Sequence, residues 1–151
     1  MRLYRLGSVQ HPIWDGTGAA LHGGRWNPQG APVIYAAGSL ALAMLERLVQ
    51  RRGLGGTMVV EALVPDDMVW TDMLQTPPMG WRSLGSPEAV AAGHAWLTEG
   101  RTALLRVPSA LVPREPNWMI NVHHREAMRI KAGMPEPLEW DSRLFGVPAP
   151  A

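Results

Sequence analysis

The stretch that decides the fold is Pro32-Val33-Ile34-Tyr35-Ala36-Ala37-Gly38-Ser39, with the apolar helical pattern that follows it. The apolar run before Gly38 predicts a short buried strand at residues 33–37. Ser39 then predicts a helix N-cap, and the helix should continue to about residue 52 and close at Gly53. The apolar face of that helix would consist of Leu40, Met44, Leu45, Leu48 and Val49.

Outside this stretch, short elements alternate with turns. Further strands are predicted at residues 2–6, 57–64, 102–107, 118–122 and 138–145. Residues 7–31 are expected to form a long glycine-containing loop. Helices are predicted at residues 86–100, where Ser86-Pro87 marks the start and Gly100 the stop, and at residues 124–132. Because strands and helices mix without a βαβ rhythm, the expected class is α+β.

Length and composition fit one compact domain. The chain has 151 residues, of which 46% are hydrophobic and 18% charged, so a disordered chain is excluded. It contains no cysteine, which excludes disulfides and thiolate metal ligands and favours a reducing cytoplasm. The formal net charge is only +1, so the sequence predicts no broad positively charged surface for binding DNA or RNA. We expect no signal peptide and no membrane span, because no apolar run approaches the ~20 residues required.

Three positions are candidates for chemistry. In Gly23-Gly24-Arg25, the glycines permit close backbone approach and the guanidinium could clasp a phosphate, although a surface turn with a solvated arginine would look the same. Tyr35 could stack on a flat heteroaromatic ring or could be an ordinary core tyrosine. Glu46 lies at the edge of the apolar helix face, where a carboxylate can face a cleft or solvent.

Together these blocks resemble the signature of the RES domain family, which is named for an arginine, a glutamate and a serine. The blocks are Gly23-Gly24-Arg25-Trp26-Asn27-Pro28, residues 32–37 and Ala41-Leu42-Ala43-Met44-Leu45-Glu46. The serine would be Ser109, in the segment at residues 108–113. Residues 115–121 are similar to the family's downstream block, and Tyr4-Arg5 to its opening strand. The resemblance runs from about residue 3 to about residue 145, so residues 1–151 are expected to form a single RES domain.

One segment departs from the family pattern. Asn121-Val122-His123-His124 stands where Asn-Pro-x-His is expected. Adjacent histidines point in different directions on a strand or helix, so they predict a structural or surface role and no metal site.

The resemblance implies an ADP-ribosyltransferase-like fold, with two small mixed or antiparallel sheets flanked by helices. It implies the toxin of a type II toxin–antitoxin system, an enzyme that cleaves NAD at the nicotinamide–ribose bond by hydrolysis or phosphorolysis. NAD is then the substrate and no metal is required. An alternative is a protein ADP-ribosyltransferase that uses the same cleft, and a third is a non-catalytic nucleotide-binding module.

The resemblance also implies roles for particular residues. Glu46 would stabilise the positive charge that develops on the ribose. Ser109 would form a hydrogen bond with the glutamate or with the nicotinamide ribose and orient it. Arg25 is expected to be a third catalytic residue beside Glu46 and Ser109. It is also expected to bind the diphosphate together with Arg5. The residues expected to contact NAD are Arg5, Arg25, Tyr35, Ser109 and Asn117. The implied partner is an Xre-type antitoxin that occludes the active site, and a homodimer within the complex is possible.

Overall fold

The computed structural model describes residues 1–50 and 53–146. The strands are β1 (Arg2–Ser8), β2 (Val33–Ala37), β3 (Thr57–Leu63), β4 (Trp70–Asp72), β5 (Leu104–Pro108), β6 (Pro116–Asn121), β7 (Lys131–Ala132) and β8 (Glu136–Pro137). The α-helices are α1 (Thr17–His22), α2 (Leu40–Val49) and α3 (Pro87–Glu99). Two 3-10 helices span Arg125–Arg129 and Ser142–Phe145. No helix in these described ranges combines the length and apolarity needed to cross a membrane.

The strands form one mixed sheet, whereas two small sheets were expected. The order is β4-β5-β6-β2-β1-β3-β7, and β8 also pairs with β3. β1 and β2 are in register at a single pair, Tyr4 opposite Ala37. By contrast, β2 pairs with β6 along its whole length, from Val33 to Ala37. The two halves of the sheet are therefore regular within themselves, and one short contact between β1 and β2 joins them into a continuous sheet.

Both faces of the sheet carry a core. One face buries Leu3, Ile34, Ala36, Leu104, Trp118 and Ile120 among others. The other buries Trp26, Val33, Trp96, Leu105, Val107 and Met119, with α3 packed over it. Successive side chains of a strand point to opposite faces of the sheet, and residues paired across two strands point to the same face. The apolar residues of β2, β5 and β6 therefore form two apolar faces. A sheet covered on both sides holds its strand ends in fixed positions.

The two main helices begin where the sequence predicts. The Ser39 side chain accepts a hydrogen bond from the Leu42 amide at the start of α2, and the Ser86 side chain accepts one from the Ala89 amide at the start of α3. Gly100 ends α3 in the left-handed conformation, with φ of 58°. α2 ends at Val49, and the remainder of its predicted range includes residues 51–52, which lie outside the described part of the chain.

Three local predictions are wrong. The loop predicted at residues 7–31 contains the short helix α1, which Gly16 and Gly18 obscure in the sequence. The helix predicted at 124–132 is a 3-10 helix followed by strand β7. The closing strand predicted at 138–145 is instead β8, two residues earlier, and a 3-10 helix. In the last two cases the strand forms because it pairs with β3, and the propensities of the local residues cannot predict that pairing.

Candidate active site

Glu46 lies on α2, one turn after the buried Leu42, and its carboxylate receives two short hydrogen bonds. Ser109 Oγ and Asn117 Nδ2 both donate to Oε1 of Glu46, each at 2.7 Å. The three residues come from α2, from the turn after β5 and from β6. Within the described residues, the second carboxylate oxygen, Oε2, has no protein hydrogen bond. One oxygen is therefore fixed by the protein and the other is available to a ligand.

The hydroxyl of Ser109 is held so that it can only donate to Glu46. Ser109 is fully buried, at 0% exposure. Its Oγ accepts hydrogen bonds from the amides of Leu111 and Val112, both at 3.1 Å. A serine hydroxyl has one hydrogen and two lone pairs, so two accepted bonds leave the hydrogen for the carboxylate. Ser109 is thus a fixed donor to Glu46, and the catalytic role expected for it remains a prediction.

Asn117 reaches Glu46 from the neighbouring strand. It lies opposite Ala37 of β2 and Val107 of β5, near one end of the ladder in which β6 is the central strand. Its amide nitrogen donates to the carboxylate of Glu46. The contact with NAD expected for Asn117 remains a prediction, whereas its contact with the carboxylate is part of the folded protein.

A second group of contacts surrounds Tyr35 of β2. Its hydroxyl donates to Asn27 Oδ1 at 2.7 Å and accepts from the Trp26 amide at 3.1 Å. Asn27 is 1% exposed, and its Nδ2 lies within 3.0 Å of the carbonyls of Ala19, Pro28 and Ala31. Asn27 thereby fixes the shape of the glycine-containing loop and connects that loop to Tyr35.

Burial raises the pKa of the Tyr35 hydroxyl well above its ordinary value of about 10, against the smaller opposing effects of the Trp26 amide and of Arg25 and Arg5. The folded state therefore favours the neutral phenol, whereas the unfolded chain ionises near pH 10. The resulting stability is fully present below pH ~10 and is lost as the pH rises above it. We expect the free energy of unfolding, measured in urea from pH 8 to pH 11, to fall at the alkaline end.

Tyr35→Phe should reduce that alkaline fall. It should also lower stability at neutral pH, because Asn27 Oδ1 and the Trp26 amide lose their partner, at a cost of about 1–3 kcal/mol. Tyr4→Phe, at the only other tyrosine in the chain, is the control. An alkaline fall of equal size in Tyr35→Phe and in wild type would contradict this account of the Tyr35 pKa.

The side chain of Arg5, on β1, contacts the backbone of the same tyrosine. Its Nη1 donates to the Tyr35 carbonyl at 2.9 Å. Burial lowers the pKa of Arg5, and the carboxylate of Asp15 opposes that shift. An arginine stays charged at neutral pH, so Arg5 brings a partly desolvated positive charge next to β2.

Arg25 binds the loop that precedes α3. Its Nη1 lies 2.9–3.2 Å from the carbonyls of Trp81, Arg82 and Ser83. Next to it, the Trp26 and Trp81 rings are stacked with centroids 5.9 Å apart. Nε and Nη2 of Arg25 have no hydrogen bond to any described residue, so this side of the guanidinium is available to an anion.

The carboxylate and the tyrosine groups lie on the same face of the sheet. Tyr35 is opposite Met119, and Asn117 is two residues from Met119 on β6. Diagonal neighbours of this kind lie about 7–8 Å apart across a sheet. Glu46, held by Asn117, and Tyr35 therefore lie over the same face of the sheet.

A cavity lies elsewhere in the described structure. It measures about 1000 Å³ and lies between the C-terminal half of α3 and residues 121–126, with His94, His123 and His124 in its wall. None of the predicted site residues lines it. His124 Nδ1 accepts the amide of Glu126 and caps the following 3-10 helix, which is a structural role. Within residues 1–50 and 53–146, no three His, Cys, Asp or Glu side chains form a group that could hold a metal ion.

Sequence reasoning missed three residues that shape this region. Asn27 accepts a hydrogen bond from Tyr35, and the carbonyls of Trp81 and Arg82 accept from Arg25. Asn27 had a local signal, because it stands before Pro28 in a turn, but its bond to Tyr35 depends on the fold. Trp81 and Arg82 lie in a loop whose composition is that of any surface turn.

Comparison with known proteins agrees with the resemblance. The profile of the RES domain matches residues 2–141. A protein named Prs ADP-ribosylating toxin, from Sphingobium sp., is 39% identical over 138 residues, covering 87% of this chain and 86% of that protein. Toxin Res from Yersinia enterocolitica is 34% identical over 151 residues, covering 95% of this chain and 99% of that protein.

The fold has a solved counterpart. A chain in the crystal structure of the M. tuberculosis MbcT-MbcA toxin-antitoxin complex superposes with a TM-score of 0.68 at 21% identity, covering 91% of this chain and 83% of that one. At that identity the similarity concerns the fold alone. With the matched profile and the two relatives, the conclusion is that the chain belongs to the RES domain family.

Proposed function

We propose that this protein is the toxin of a toxin–antitoxin pair and that it cleaves NAD at the bond between nicotinamide and ribose. The observation that carries the proposal is the Glu46 carboxylate, fixed through Oε1 by Ser109 and Asn117 and open at Oε2. The names of the relatives, which include an ADP-ribosylating toxin, support an enzyme that acts on NAD.

The chemistry requires a preorganised negative charge. When the glycosidic bond breaks, positive charge develops on the ribose, and a carboxylate beside the sugar stabilises it. Nicotinamide in NAD is already a cationic leaving group and departs without a general acid. Two fixed donors on Oε1 hold the carboxylate in place before the reaction, so no reorientation is needed as the charge forms.

The remaining residues would bind and orient the dinucleotide. The Tyr35 ring would contact the nicotinamide, since its hydroxyl is fixed by Asn27 and Trp26 and its orientation is set. The free side of Arg25 and the charge of Arg5 would attract the diphosphate. Ser109 would contribute through Glu46, and Asn117 could contact the ribose with the amide atoms it does not use for Glu46.

A second candidate activity is transfer of ADP-ribose to a protein. The Sphingobium relative, at 39% identity, carries that activity in its name. Both reactions break the same bond and use the same carboxylate, and they differ in the acceptor.

As for the partner, one chain of similar fold comes from a toxin-antitoxin complex. We propose an antitoxin, of the Xre type by family resemblance, that covers the site, and a cytoplasmic location for the pair.

The test is to mix the purified protein with NAD and to measure nicotinamide release with and without phosphate. The products separate the activities: free ADP-ribose indicates hydrolysis, phosphorylated ADP-ribose indicates phosphorolysis, and label attached to protein indicates transfer. A purified, folded protein that releases no nicotinamide in any of these conditions, including with added cell lysate as a source of acceptors, would refute the proposal.

Asn117→Ala tests the fixed carboxylate. Removal of a hydrogen bond to a charged group costs about 1.5–3 kcal/mol, so kcat should fall roughly tenfold to a hundredfold. KM for NAD should change little if Asn117 acts through Glu46. A large rise in KM with an unchanged kcat would instead make Asn117 a residue that contacts NAD.

A further inference from the structure

The loop at residues 77–86 carries an exposed arginine, Arg82, whose side chain contacts the turn that holds Ser109. Its Nε donates to the carbonyl of Ala110 at 2.9 Å. Ala110 follows Ser109, which donates to Glu46. The Arg82 guanidinium is therefore anchored one residue away from the donor that fixes the carboxylate.

The backbone of Arg82 is held from the other side by Arg25. The Arg82 carbonyl accepts from Arg25 Nη1 at 2.9 Å, and the carbonyls of its two neighbours in sequence accept from the same nitrogen. The Trp81 ring is stacked on Trp26. The backbone of Arg82 is thus held by Arg25, and its side chain is held by the carbonyl of Ala110, next to Ser109.

The unused side of the Arg82 guanidinium is a ready anion donor. Since Nε is committed to Ala110, the two terminal nitrogens remain, and they form no hydrogen bond or ion pair with any residue in the described part of the chain. Two parallel N–H groups on a planar guanidinium match the oxygens of a phosphate. An arginine held at both ends loses less conformational freedom on binding than a free surface arginine.

We propose that Arg82 binds a phosphate group at the active site, and that Arg25 positions it there. The inference rests on the proposed function. The phosphate has two possible sources, the diphosphate of the dinucleotide or the inorganic phosphate that would serve as acceptor. In the second case a phosphate oxygen forms a bond to the ribose carbon as the bond to nicotinamide breaks, and the bonding electrons leave with nicotinamide.

The test compares Arg82→Gln with wild type in two assays. Calorimetry with ADP-ribose measures binding without turnover, and nicotinamide release measured over a range of phosphate concentrations reports the acceptor. If the dinucleotide is the source, Arg82→Gln should weaken ADP-ribose binding about tenfold or more. If inorganic phosphate is the source, the variant should keep ADP-ribose binding and need about tenfold more phosphate for the same acceleration.

Arg101→Gln is the matched control, because it removes the same charge from an arginine that is 78% exposed just beyond α3. An Arg82→Gln protein that equals Arg101→Gln in both assays overturns the inference. The proposed function fails separately, when wild type binds ADP-ribose but releases no nicotinamide, and Arg82 can still be judged from binding. A wild type that shows neither binding nor release overturns both.

Discussion

Glu46→Gln is expected to slow nicotinamide release by a factor of hundreds or more. Loss of one preorganised electrostatic group commonly raises the barrier by ~3–4 kcal/mol. The amide oxygen of glutamine can accept from both Ser109 and Asn117, as Oε1 of the carboxylate does. The local hydrogen bonds are kept and the negative charge is lost, so the variant separates catalysis from folding.

The measurement is the initial rate of nicotinamide release at saturating NAD, with thermal unfolding as the check on the fold. Glu99→Gln, an isosteric exchange at the last residue of α3, should leave the rate unchanged. A Glu46→Gln protein that turns NAD over at near the wild-type rate would remove Glu46 from the mechanism.

Gly93→Ala is expected to cause the second large effect, through packing. A Cβ at Gly93 of α3 would lie 1.8 Å from the carbonyl oxygen of Trp26, which is backbone and cannot rotate away. Overpacking of this kind costs about 1–3 kcal/mol and occasionally more. We expect the melting temperature to fall by roughly 2–12 °C. Because Trp26 follows Arg25, we also expect weaker binding of NAD.

Gly18→Ala provides the matched control, since a Cβ there meets no atom within 4 Å. Gly18 lies within α1, where alanine is intrinsically more favourable than glycine, so its melting temperature should hold or rise. If Gly93→Ala melts no lower than Gly18→Ala, the close contact between α3 and the Trp26 backbone is not present in solution.

Elements with strong local signals were predicted from the sequence. The strand at residues 33–37 and the start of α2 at Ser39 agree with the structure, because a buried apolar run and a serine cap are local features. β7 and β8 were missed because each is only two residues long and exists through its pairing with β3. The single continuous sheet was also missed, since one register pair between β1 and β2 leaves no trace in the sequence.

For the site, the resemblance predicted the residues but not all of the contacts that the structure gives them. Ser109 was expected on Glu46 or on the nicotinamide ribose, and in the structure it donates to Glu46 at 2.7 Å. Asn117 was expected on NAD and also lies on the carboxylate. The three carbonyls that hold Arg25 could not be predicted, because any backbone carbonyl can accept a hydrogen bond and the choice depends on where the loop before α3 lies.

The donors that fix Glu46 lie far along the chain, 63 and 71 positions after it. During translation the ribosome makes Glu46 several seconds before Asn117, at the usual rates of about 5–20 residues per second. A nascent chain that ends before Ser109 therefore contains the carboxylate but neither of the residues that hold it. On the proposed function, the Glu46 carboxylate is held in place only after residues 109–117 have been made and have folded back onto α2.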